Sequence, residues 1–325
     1  MPNPADTLTL ADLKNWNRRD QAGNFLPSLA VLGHPVAHSV SPQMHNAALA
    51  ELAKAHPQLR DWCYFKFDIA PEELEESLKI LPQKGFVGVN LTVPHKTSPV
   101  VLIHADIHDR RLLAINTLIG GDNGWLGINS DGYGLIQSLN RDLKIDLRKG
   151  AEVVVLGAGG AARSAVMACW REGCGKIWIG NRTLEKLKPL LDVFSKLKPP
   201  SNPYPLEGFD ISTPPSKEWS ANAVVINATT VGLKPNDGSP LDVSLLGRYA
   251  VVLDMIYRRD GITPLVAGAR ACGLRATDGL GMLVWQGAFS LTVWLQNVAK
   301  IRPESIAPTM MTAACAALGI PPRHA

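Results

Sequence analysis

Several things are scarce in this chain, and each shortage narrows its function. Cysteine is scarce: Cys63, Cys169, Cys174, Cys272 and Cys315 make an odd, scattered set of five in 325 residues. The closest pair, Cys169 and Cys174, fits no common zinc or redox spacing. Reduced thiols in a cytoplasmic protein are the simplest expectation. Charge is also scarce: charged residues are 19%, and 33 basic against 29 acidic leaves +4. With no long basic block, neither a nucleic-acid coat nor a polybasic membrane anchor is expected. The N-terminus lacks a basic start followed by an apolar run, so no secretory leader is expected. One uncharged stretch, residues 279–299, is long enough to compare with a bilayer span. There Gln286, Ser290 and Asn297 recur at helical spacing, which predicts a buried amphipathic helix instead. Seven of the eight histidines precede residue 110. His104 and His108 would share a helix face, but no third ligand joins them, and no metal is expected.

What is present is globular. Hydrophobic residues make up 46% of the chain, and at ~150 residues per domain two domains are expected. Residues 1–26 read as an extension, with Thr9 and Asp12 opening a short helix over 10–19. Apolar strands are predicted at 29–32, 62–67, 86–93, 152–156, 176–179, 223–226 and 250–256. Helices are predicted at 42–55, 71–80 and 160–170. Ser41 is a good N-cap and Pro42 suits the first helical position. Alternating strands and helices argue for an α/β protein with mostly parallel sheets. A second unit starts near Gly150. Six prolines at 199, 200, 203, 205, 214 and 215 predict a stiff loop over 199–216.

The run Val153-Val154-Val155-Leu156-Gly157-Ala158-Gly159-Gly160-Ala161-Ala162 reads as strand, glycine turn and helix start. Glycines let the backbone turn sharply and approach a pyrophosphate, which the helix N-terminus then attracts. An NAD site places an acid about 20 residues on, against the ribose 2′-hydroxyl. This chain has Asn181-Arg182-Thr183 there, with Lys186 beyond. Two cations without an acid suit a 2′-phosphate and point to NADP.

The first half carries a second constellation. Ser39 and Ser41 stand at i and i+2, where two hydroxyls converge if the segment is extended. Such a pair suits a carboxylate, although Ser41 would serve equally as a cap. Strand alternation sends Asn90 and Thr92 to one face of a buried strand. Buried polar groups need partners, and a polyhydroxylated ligand would supply them. Lys96 follows at the strand end, and Asn116, Thr117 and Asn129-Ser130-Asp131-Gly132 come later. Lys96 and Asp131 form either a structural salt bridge or an acid–base pair for the proton that accompanies hydride transfer.

Taken in order, these motifs resemble the shikimate/quinate dehydrogenase family. The matching strings are Gly33 to Pro42 with His45-Asn46, Asn90 to Lys96, Ala114 to Thr117, and Asn129 to Gly132. The second half adds Gly157 to Arg163, Asn181 to Thr183, Asn227-Ala228-Thr229, and Asp278 to Met282 with Gln286. The resemblance implies two α/β domains with a cleft between them. Residues 1–131 would bind substrate, completed by C-terminal helices in 282–325, and residues 132–281 would form a Rossmann-type NADP domain. It implies that Ser39 and Ser41 hold the substrate carboxylate. Asn90, Thr92, Asn116 and Gln286 would bind ring hydroxyls, and Tyr257 would join the substrate site. Lys96 and Asp131 match the catalytic pair. Contacts to NADP would come from Gly157, Ala158, Gly159, Gly160, Ala161, Asn181, Arg182, Thr183, Lys186, Asn227, Ala228, Thr229, Gly279 and Met282. The implied reaction is NADPH-dependent reduction of 3-dehydroshikimate to shikimate, in aromatic amino acid biosynthesis. A quinate or dual-substrate enzyme is the alternative, which Ser41 in place of a threonine disfavours. A homodimer is compatible with the sequence. The chain departs from the family pattern at Ser130, Thr230 and Leu233, and the segment from Tyr257 to Pro264 is one residue longer.

Overall fold

The computed structural model describes residues 3–97, 103–105, 114–122, 124–196, 206–259 and 261–324. They divide into two compact units, Met1–Ser130 with Val284–Ala325, and Asp131–Leu283. The α/β expectation is borne out in both.

The first unit contains β1 (Thr7–Leu8), α1 (Leu10–Lys14), β2 (Ser28–Gly33), α2 (Ser41–Leu52), β3 (Cys63–Asp68), α3 (Leu74–Gln83), β4 (Phe86–Leu91), β5 (Ile103–Ala105), β6 (Thr117–Gly121) and β7 (Gly124–Ile128). Its sheet runs β1-β3-β2-β4-β6-β7-β5. The pairs among β1 to β4 are parallel, whereas β4–β6 and β6–β7 are antiparallel. The sequence did not announce this hairpin, because its glycine-rich strands lack an alternating pattern. His104 lies in β5 rather than on a helix, and His108 lies outside the described residues.

Three sequence expectations change here. The N-terminal residues, read as an extension, are built into the first unit: β1 pairs with β3, and Leu8, Leu10, Leu13 and Trp16 are buried in the core. Trp16 packs edge-on against Phe65, at 4.8 Å between ring centroids, and tilted against Phe86, at 5.1 Å. The capping box forms as read, with Thr9 N–H donating to Asp12 at 2.8 Å, but α1 ends at Lys14. Second, Ser41 is not a cap. It is the first residue of α2, whose N-cap is Val40 without a side-chain bond. Third, β4 stops at Leu91, so Thr92 lies beyond the strand whose face it was expected to share.

The second unit begins with α4 (Asp131–Asp142). It continues through β8 (Glu152–Leu156), α5 (Gly160–Glu172), β9 (Lys176–Asn181), α6 (Lys188–Ser195), β10 (Leu206–Asp210), β11 (Val224–Asn227), β12 (Val251–Asp254), α7 (Pro264–Ala271) and β13 (Arg275–Thr277). The sheet is wholly parallel in the order β10-β9-β8-β11-β12-β13. That is the doubly wound order, with its switch point between β8 and β11, where ligands bind at strand C-termini. Val153 to Leu156 and Val224 to Ile226 are all buried, as parallel strands covered on both faces require. Strand β10 falls inside the segment expected to be a proline loop; the prolines flank the strand instead of interrupting it.

Helix α8 (Leu280–Leu295) belongs to the first unit from Val284 onward, followed by α9 (Pro303–Leu318). Trp294 anchors α8 to the sheet, donating its indole N–H to Leu118 O at 2.9 Å. The ring lies so close over β4 that a Cβ on Gly88 would sit 2.3 Å from Trp294 Nε1. Among the described residues no helix is long and apolar enough to cross a membrane. Of the expected polar stripe, Gln286 and Ser290 are buried, at 7% and 0% exposure, and meet protein rather than water, whereas Asn297 lies beyond α8 and is exposed.

Candidate functional site

In the first unit the polar residues converge on one hydrogen-bonded tier. Asn90 is its centre. Its Oδ1 accepts from Tyr64 Oη at 2.8 Å. Its Nδ2 donates to Asn116 O at 3.1 Å, Thr117 Oγ1 at 3.0 Å and Ser290 Oγ at 3.2 Å. Contrary to the expectation from its strand face, Asn90 does not need a ligand to satisfy it, because protein groups do so. What remains is one lone pair on Oδ1, so Asn90 can offer a ligand only an acceptor. Asn116 Oδ1 accepts Ser130 N–H at 2.7 Å, and its Nδ2 reaches Ser130 Oγ at 2.9 Å and Gln286 Oε1 at 3.4 Å. Ser130 Oγ also donates to Gln286 Oε1 at 3.2 Å. The sequence placed Asn90, Asn116 and Gln286 in one site, and the structure brings them together. Tyr64 was missed; it sits in an apolar strand, with no polar pattern to single it out.

Ser39 and Ser41 lie between β2 and α2. Ser39 Oγ accepts the Ser41 N–H at 3.3 Å, and the Ser41 hydroxyl has no partner among the described residues. With the capping role gone, that hydroxyl is available to a carboxylate. Below it His45 is fully buried and stacks on Tyr64, with centroids 4.0 Å apart. Burial pushes its imidazole down to about 3, so it is neutral. Burial raises the Tyr64 phenol, which therefore stays a hydrogen-bond donor.

Lys96 is half-buried in the short turn His95–Thr97. His95 pins that turn: its N–H donates to Thr92 O and its ring nitrogen Nε2 meets Ile69 O, both at 2.8 Å. Thr92 thus serves this turn through its carbonyl. In the second unit Asp131 is buried at the start of α4.

The second unit also carries a cavity of about 260 Å³. It is lined by Gly157, Ala158, Gly159, Asn181, Arg182, Ile211, Ala228, Thr229, Thr230, Val231 and Pro240. Gly157 has φ +117°, and a Cβ there would lie 2.9 Å from Ala228 O, so the first glycine of the turn is sterically required. Helix α5 starts at Gly160 with Gly159 as a bare N-cap, leaving its first amides open to an anion. The β9 tip holds no carboxylate, and exposed Arg182 lines the cavity instead. This donor set fits an NADP adenosine end carrying a 2′-phosphate. Lys186, Thr183, Gly160, Ala161, Gly279 and Met282 lie outside the lining. Asn227 needs correction as a contact. Its side chain is wholly buried and spent on protein, accepting from Thr229 N–H at 3.0 Å and Thr229 Oγ1 at 2.7 Å. Ala228 and Thr229 of the same motif line the cavity. Ile211, Val231 and Pro240 were missed, being apolar loop residues with no motif. Tyr257 is half-buried; burial raises its phenol, and Arg259 pulls the other way.

Comparison with known proteins identifies the family. The family model of the shikimate dehydrogenase substrate binding domain matches residues 31–118. A shikimate dehydrogenase (NADP(+)) of Geobacter metallireducens is 36% identical over 273 residues, covering 82% of this chain and 90% of that protein. One from Geobacter sp. strain M21 is 34% identical over 90% of this chain and 96% of its own length. The crystal structure of the Thermus thermophilus shikimate 5-dehydrogenase, in complex with NADP(H) and shikimate, superposes with a TM-score of 0.73. Its sequence is 31% identical, covering 89% of this chain and all of that one. The chain belongs to the shikimate dehydrogenase family.

Proposed function

We propose that this chain catalyses the reversible NADP(H)-dependent reduction of 3-dehydroshikimate to shikimate. The observation that carries the reading is Arg182 on the rim of the Gly157 cavity, where an NAD-specific site would hold an acid. The relatives, matched over most of their length, are named for the same substrate and cofactor.

The chain's own groups then divide the work. Ser39 and Ser41 hold the substrate carboxylate. Asn90 accepts a ring hydroxyl, while Asn116, Gln286 and Thr92 orient the others, with Tyr257 as a further contact. The first amides of α5 and the Gly157 to Ala161 turn hold the pyrophosphate, and Arg182 takes the 2′-phosphate. When bound, the nicotinamide supplies or accepts the hydride at the substrate's C3. Lys96 and Asp131 manage the proton: in reduction it reaches the forming alkoxide, and in oxidation it leaves the hydroxyl. An ammonium beside the oxygen also stabilises charge as it develops. Lys96→Met tests this assignment. Turnover should drop by about 10²–10⁴-fold with shikimate binding retained, as for loss of a general acid–base group. Wild-type turnover in that variant would remove Lys96 from the chemistry.

The same reading takes the protein as cytoplasmic, in keeping with five cysteines that are all free. A homodimer is compatible with this reading, and sedimentation of the purified chain tests it.

A further inference from the structure

One buried ionisable group lies at the C-terminal edge of the second sheet without a part in the chemistry above. Asp254 ends β12 and is 0% exposed. It pairs in register with Asn227 on β11. Three donors converge on its carboxylate. Asn227 Nδ2 reaches Oδ1 at 2.9 Å, Ile256 N–H reaches Oδ1 at 3.1 Å, and Thr263 Oγ1 reaches Oδ2 at 2.6 Å. Thr263 in turn caps α7, accepting Val266 N–H at 3.4 Å.

The consequence runs through Asn227. A carboxylate can only accept, so the Asn227 amide must turn its nitrogen toward Asp254. Its oxygen then faces the other way and takes both the N–H and the hydroxyl of Thr229. The same nitrogen donates to Val231 O at 3.2 Å, and Thr229 Oγ1 accepts Val231 N–H at 3.1 Å. Thr229, Thr230 and Val231 are the cavity wall opposite Arg182's strand. Asp254, which does not line the cavity, thus anchors the Asn227 side chain that bonds to that wall.

We infer that Asp254 is a positioning residue for the cofactor, acting through Asn227 to hold Thr229 to Val231 in their binding conformation. This rests on the NADP reading above. Asp254 has no cation paired with it among the described residues, and the charged group acting on it is Asp278, at the start of the segment leading into α8. Burial, and then the like charge of Asp278, raise its carboxyl to about 6 despite its three donors. Protonation would make one oxygen a donor and leave the other as an acceptor for Asn227.

The test is NADP+ binding to the whole chain by calorimetry, with shikimate binding measured beside it. Asp254→Ala should weaken NADP+ about tenfold, the scale of one lost hydrogen bond to a charged group, and leave shikimate binding unchanged. Asp254→Asn keeps an acceptor oxygen for Asn227 and should recover most of the loss. A folded alanine variant that binds NADP+ like wild type overturns the inference. So does an asparagine variant as weak as the alanine one. If the alanine chain does not fold, the asparagine chain decides. A folded wild type that binds shikimate but no NADP+ defeats the cofactor reading itself, which these variants do not address.

Discussion

Tyr64 Oη donates to Asn90 Oδ1 at 2.8 Å, and this bond fixes which way the Asn90 amide presents itself. Without it the amide would be held only by its nitrogen side. Tyr64→Phe should raise the KM for shikimate about five- to tenfold, with kcat changed much less, since one neutral hydrogen bond is worth roughly 1 kcal/mol. Steady-state kinetics in shikimate checks this. A fall in kcat at constant KM would mean that the tier acts on the chemical step.

Arg182 should govern cofactor choice. Arg182→Ala should raise the KM for NADP+ about ten- to a hundredfold, the value of a charge-assisted contact, and leave NAD+ nearly unaffected. Equal losses with both cofactors would place Arg182 on a feature they share.

Trp16 makes the N-terminal segment part of the core. Trp16→Ala should destabilise the chain by about 3–5 kcal/mol, as for other large-to-small aromatic changes. Chemical denaturation measures it. A change below about 1 kcal/mol would mean that β1 and α1 are only draped over the sheet.

Acid stability should carry two opposed signatures. Unfolded His45 takes up a proton below the ordinary 6.5, but the buried ring does so only at about 3. Between those values the unfolded chain binds the extra proton, so stability falls by about 1.4 kcal/mol per pH unit of descent. Asp254 acts the other way. Its carboxyl protonates at about 6 when folded and at the ordinary 3.8 when unfolded, so descending through that window favours the fold. Unfolding curves for wild type and His45→Phe across this range separate the two. The variant should lose less stability toward acid than wild type, and parallel curves would refute the buried neutral histidine.

Much of this was legible in the sequence because it is local. The Gly157 turn, the acid-free β9 tip and the Thr9 capping box each lie within a few residues, so spacing alone carries the physics. The hidden parts are those that distant chain segments complete. Asn90 and Ser290 hydrogen-bond across 200 positions, so no local pattern shows that Asn90 is already satisfied. Asn227 looked like a cofactor contact because its motif adjoins one; its burial depends on β12, which supplies Asp254. Ser41 read as a cap from its place before Pro42, yet the helix begins one residue earlier and frees its hydroxyl. Strand β10 was masked by the prolines around it, and Trp16 gave no sign that three phenylalanines from β3 and β4 surround it.

The most direct measurement is the rate at which reduced nicotinamide appears, by its absorbance, with purified protein, shikimate or quinate, and NADP+ or NAD+. The account predicts rapid reduction of NADP+ with shikimate and much slower reduction in the other three pairings. Comparable rates with quinate would contradict the substrate assignment built on Ser39 and Ser41. A preference for NAD+ would contradict the role given to Arg182.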